Sequence, residues 1–125
     1  MDNNDHNEKN GNDDEQIQEE SLKLKSLLQG HLEELEFLRF LTEAPIYRSG
    51  ILNLFENLEY FKNQINKLET INSGLLTDLD SQIEEKKQAS SYRTETIISK
   101  EEDLYDKIRE LKSHFYPYIK SVVKD

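Results

Sequence analysis

The sequence predicts an all-α chain: three helices forming an elongated helical bundle or coiled coil, with a disordered acidic N-terminal tail. Three features point to it. A heptad stripe runs from Ile51 to Leu79, with Ile51, Leu58, Ile65 and Leu79 at a and Leu54, Phe61, Leu68 and Leu75 at d. Leucines recur at helical spacing before this stripe, and a third stripe follows from Ile97 to Val122. Cysteine and tryptophan are absent, and the 34% of hydrophobic residues lie on helical stripes rather than in strand-like alternation.

Residues 1–20 read as the tail. They hold eight Asp or Glu against the single Lys9, so they supply minus seven of the formal net charge of minus ten. Only Met1 and Ile17 are apolar there, and such a segment buries too little to offset its ordering entropy. Residues 21–125 then form the bundle, with helices expected over about 21–43, 51–86 and 97–123.

The first helix carries Leu24, Leu28, Leu32, Leu35, Leu38 and Leu41 or Thr42 on one face, and Leu27, Phe37 and Phe40 widen it toward a second neighbour. His31 takes a core-facing slot between Leu28 and Leu35, as a packed, hydrogen-bonded residue rather than a ligand. Pro45 and Gly50 end this helix, because proline disfavours helix at Ala44 and glycine tolerates turn geometry.

The second helix begins near Ile51 and carries the main seam. Asn72 is a polar residue at an a position, a device that fixes register or partner number. Phe55, Ile71, Leu76 and Ile83 lie beside the strict seam and suggest three or four helices around the core. Leu76, Ile83, Ile97, Leu104, Leu111 and Tyr118 share a second heptad frame, so a stutter is expected at Gly74.

Residues 84–96 are polar and contain neither Gly nor Pro, so they allow either a hairpin or a continuous rod of roughly 100 Å. Their Ser90, Ser91, Thr94 and Thr96 fit a solvated linker better than a phosphate-controlled hinge. Ser99 with Glu102 forms a capping-box pattern for the last helix. Its stripe is Ile97, Leu104, Ile108, Leu111, Phe115, Tyr118 and Val122, with Pro117 expected to kink or restart it. The Phe115, Tyr116 and Tyr118 cluster reads first as a core cap and second as a docking anchor.

No catalytic, cofactor or metal site is expected. His6, His31 and His114 lack partners at metal-ligand spacing, and Gly11, Gly30, Gly50 and Gly74 are isolated, so no phosphate loop is present. Direct nucleic-acid binding is disfavoured, since Lys86-Lys87 is the only basic doublet and follows Glu84 and Glu85. No membrane span and no secretory leader are expected, which suits a cytoplasmic or nuclear protein. A membrane-fusion helix fails on polarity, because Lys86, Ala89 and Arg93 follow Gln82 in its seam.

The function expected is therefore that of a non-catalytic coiled-coil subunit, a scaffold or adaptor joining other helical chains, with a hetero-oligomer favoured over a homo-oligomer. Small acidic subunits of kinetochore, spindle and transcription-coactivator complexes share this look. The interface would use Ile51, Leu54, Leu58, Phe61, Ile65, Leu68, Asn72, Leu75 and Leu79, with Ile97, Leu104, Ile108, Leu111, Phe115 and Tyr118 as a second seam. A self-contained three-helix adaptor for a transient partner is the alternative. Leu68-Glu69-x-x-Asn72, Lys100-Glu101-Glu102-Asp103-Leu104 and Ile108-Arg109-Glu110-Leu111-Lys112 with Tyr116-Pro117 also resemble the KxDL family of endosomal and lysosome-related-organelle complexes. That resemblance covers under half the chain, with one extra residue inside the family's Lys-x-Asp-Leu signature, and implies a subunit of such a complex.

Overall fold

A computed structural model describes residues 2–84 and 91–125, with side chains for 16, 18–84 and 94–125. It contains three helices, α1 (Asp2–Glu43), α2 (Leu54–Glu84) and α3 (Ser91–Val122). α1 begins far upstream of the expected Ser21, yet among the described side chains Gln16, Gln18, Glu19 and Glu20 are exposed and Ser21 is the first that is buried.

α1 and α2 are antiparallel. Lys25 pairs with Asp80 at one end of their contact, Arg39 lies 3.5 Å from Glu69 further along, and Lys62 meets Glu43 at 2.7 Å at the other end. α2 and α3 are antiparallel as well: the Phe61 and Phe115 rings lie 5.1 Å apart, and Gln82 bonds Thr94. The chain therefore reverses between Gln82 and Thr94. Of the two arrangements the sequence allowed, the hairpin is the observed one and the long rod is not formed.

The starts of α2 and α3 also differ from expectation. α2 starts at Leu54 rather than Ile51, because Gly50 (φ 79°) and Asn53 (φ 58°) both take left-handed backbone that a helix cannot include. Asn57 N–H then bonds the Asn53 carbonyl at 3.0 Å to open the helix. α3 starts at Ser91, so Ser99 and Glu102 lie inside a helix and cap nothing. At its other end α3 runs through Pro117 to Val122, close to the expected 123. Proline removes one backbone hydrogen bond there, near a terminus pinned from outside the helix.

That pin joins the α1–α2 connection to the end of α3. Tyr47 and Val123 form an antiparallel bridge, with Arg48 N–H bonding the Val122 carbonyl at 2.9 Å and Lys124 N–H the Ile46 carbonyl at 2.8 Å. The Arg48 guanidinium donates to the Ser121 carbonyl, and the Tyr47 hydroxyl donates to the Leu41 carbonyl. The α1–α2 connection is thus tied to the C-terminus as well as to the end of α1.

Tyr47 gives this tie a pH signature. Burial, and secondarily the neighbouring Tyr118, push its phenol above the usual tyrosine value. A raised folded-state value means its stability contribution is intact below about pH 10 and lost as pH rises through the folded value. Tyr47→Phe should cost about 1 kcal/mol at neutral pH and flatten the alkaline fall in stability. Lys62 and Lys112, raised by Glu43 and Glu34, leave a residual slope at the same end of the scale. Urea melts at neutral and alkaline pH measure both effects, and an alkaline slope identical to the parent's would contradict the assignment to Tyr47.

Candidate functional site

The surface available for function depends on what the core consumes. Each helix contributes buried side chains at intervals of three and four residues. In α1 these are Ser21, Leu24, Leu28, His31, Leu35, Leu38 and Thr42; in α2 Phe61, Ile65, Leu68, Asn72, Leu75, Leu79 and Gln82; in α3 Thr94, Ile97, Glu101, Leu104, Ile108, Leu111, Phe115, Ile119 and Val122. Such spacing keeps one narrow stripe facing inward along the whole helix, and three stripes close on one another here.

This places the expected interface residues inside the chain. Phe61, Ile65, Leu68, Asn72, Leu75, Leu79, Ile97, Leu104, Ile108, Leu111 and Phe115 are buried against the protein's own helices, while Ile51, Leu54, Leu58 and Tyr118 are half-buried. The stutter at Gly74 does not occur: Leu75, Leu79 and Gln82 continue the original frame, and Leu76 and Ile83 flank it half-buried. A frame shift in α2 is unnecessary, because the reversal before α3 lets that helix set its own frame. Phe115 is fully buried, so the aromatic cluster caps the core, leaving Tyr116 as its exposed member.

Several polar members of the core bond across helices. His31 Nε2 donates to Glu101 Oε2 over 2.8 Å, and the Tyr105 ring lies 5.9 Å from the imidazole. Asn72 Nδ2 donates to the Leu28 carbonyl at 3.0 Å, and the Gln82 amide bonds the Thr94 hydroxyl. Asn72 Oδ1 and Gln82 Oε1 accept no hydrogen bond, and each such buried orphan costs on the order of 1–3 kcal/mol. Asn72 is wholly buried and ties α2 to α1 through this bond. Sequence reasoning placed Gln82 in the seam but passed over Glu101, Thr94 and Ile119 as core residues. For Glu101 and Thr94, the seven-residue relation to Ile108 and to Phe115's frame was the available signal.

Several large apolar side chains remain outside. Leu22, Leu27, Phe37, Phe40, Leu52, Phe55, Tyr60 and Tyr105 are each more than 45% exposed. Two of these border the contact of α1 with α3, where Lys112 Nζ meets Glu34 Oε1 at 2.5 Å: Leu27 one heptad before Glu34, and Tyr105 one heptad before Lys112. The Glu34 carboxylate raises the Lys112 ammonium above its usual value through this hydrogen bond. Between α2 and α3 a groove of about 560 Å³ is floored by Phe61, Leu68 and Leu111 and rimmed by Tyr60, Lys107 and His114.

Among the described residues no group of three or more His, Asp or Glu side chains converges, and no helix is long and apolar enough to cross a membrane. No family model, curated protein or solved structure matches the chain. The residues resembling the KxDL pattern are used structurally here: Leu68, Asn72, Leu104 and Leu111 in the core, and Glu101 on His31.

Two substitutions probe the polar core. Asn72→Leu removes an orphan acceptor and should raise the melting temperature; a fall would show that the Leu28 bond outweighs it. His31→Leu strands a buried carboxylate and should cost about 3 kcal/mol, whereas His31→Leu with Glu101→Leu should recover most of that loss. Chemical denaturation of the double-mutant cycle reads the coupling, and additive losses would contradict it.

Proposed function

We propose that the chain is a non-catalytic helical adaptor, a scaffold subunit of a multi-protein assembly that folds by itself and binds other helical chains through its outer surface. One observation carries this: the bundle closes its core internally and still leaves large aromatic and aliphatic side chains outside. Leu52 at 84%, Phe55 at 71% and Phe40 at 62% exposure gain nothing in water, and a partner that covered them would gain their burial energy. The self-contained form is favoured over an obligate coiled-coil strand because the seam expected to await a partner is filled by α1 and α3.

The acidic segment before Ser21 adds net negative charge at one end of the molecule, which keeps such a surface soluble and biases encounters toward basic partners. Kinetochore, spindle and transcription-coactivator assemblies are the first settings to examine, in cytoplasm or nucleus. An endosomal complex is the alternative that the KxDL resemblance supplies.

Thermal unfolding of the isolated chain tests the adaptor role. The expected result is a helical protein with one cooperative transition and no partner added. An unfolded or aggregated isolated chain would contradict self-containment and favour an obligate subunit. Affinity purification with identification of co-purifying chains then names the assembly.

A further inference from the structure

α1 turns two of its phenylalanines away from the core. Leu35 and Leu38 are fully buried, whereas Phe37 and Phe40, in the same two turns, are 53% and 62% exposed. Glu33 and Glu36 are exposed beside them. Intervals of three and four residues join Glu33 to Glu36 and Phe37, and both of these to Phe40, so the four form one lozenge on the outer side of the helix. Two aromatic rings and two carboxylates thus share a patch about 10 Å long.

The fold uses the charges that flank this patch and leaves the two inside it. Toward α2, Arg39 lies 3.5 Å from Glu69 and Lys62 meets Glu43 at 2.7 Å. Toward α3, Glu34 is taken up by Lys112. Among the described residues Glu33 and Glu36 have no cationic partner.

Exposed rings gain by being covered, and the carboxylates beside them select what can cover them. A second copy would bring another chain of charge minus ten, and its own Glu33 and Glu36, against like charge. An anionic lipid surface or a nucleic acid meets the same repulsion. A helix with an apolar stripe edged by lysine or arginine satisfies both halves of the patch at once. We propose that Glu33, Glu36, Phe37 and Phe40 form a docking patch for a basic amphipathic helix of another protein. The partner's aliphatic side chains cover the two rings, and its cations pair with the two carboxylates. This inference rests on the adaptor role proposed above and names the class of partner for one face of it.

Amide chemical-shift mapping on the full chain, titrated with a synthetic leucine–lysine helix of about four turns, tests the patch. The largest shifts should fall on residues 33–40, and added salt should weaken binding because the carboxylates are exposed. The variant Phe37→Ser with Phe40→Ser keeps every charge, should melt like the parent, and should bind roughly tenfold more weakly or worse. Glu33→Gln with Glu36→Gln should also weaken binding, while Leu22→Ser, on the same helix roughly 22 Å from Phe37, should bind like the parent. A leucine–glutamate helix should not bind.

A phenylalanine double variant that binds as tightly as the parent would overturn the patch, since charge alone, such as that of the acidic segment, would then explain the binding. Shifts centred away from residues 33–40, or a leucine–glutamate helix that binds equally well, would overturn it too. So would a parent whose mass doubles on concentration while the phenylalanine double variant stays at 14.8 kDa, because a second copy would then cover the rings. A folded chain that ignores the leucine–lysine helix overturns this inference alone, whereas an isolated chain that fails to fold overturns the adaptor role with it.

Discussion

The closure of three heptad stripes on one another, within a single chain, is the constraint on which everything else depends. It is possible only because the chain reverses twice. The first reversal uses left-handed backbone at Gly50 and Asn53 and is tied to the C-terminus through Tyr47 and Val123. The second lies between Gln82 and Thr94, which bond across it. Once the helices are held this way, the residues that would make a partner-seeking coiled coil become a core.

The core is not uniform along its length. Near the 44–53 connection it is aromatic: Phe61 packs edge-on against Phe115 at 5.1 Å and lies 5.6 Å from Tyr118. Toward the other end it holds His31, Asn72, Gln82, Thr94 and Glu101. Apolar layers supply most of the burial energy, while polar layers penalise every mispaired register, since a slip would strand several buried groups together. The two ends thus divide stability and specificity between them.

Much of this was legible in the sequence. The all-α class, the three-helix count, the buried stripe of α2 from Phe61 to Leu79 and the slot of His31 all follow from spacing alone. The reversal before α3 was not legible, because no glycine or proline marks it and a polar stretch suits a rod as well as a turn. The expected stutter at Gly74 arose from joining two helices into one frame. The capping box at Ser99 failed for a related reason: burial of Thr94 and Ile97 against α2 extends the helix past a local stop signal. The outer surface was least legible: Leu27, Phe37 and Phe40 were expected to meet a second neighbour, and within the chain each stays more than half exposed.

The central claim is that the seam is intramolecular, and isotope-filtered nuclear Overhauser spectroscopy on a mixture of labelled and unlabelled chains tests it most directly. The account predicts strong contacts between the Phe61 and Phe115 rings, and between the Asn72 side-chain amide and Leu28, in a uniformly labelled sample. In the mixed sample those contacts should be absent between labelled and unlabelled chains. Their appearance across chains would mean that the stripes pair between molecules, and would contradict the account at its foundation.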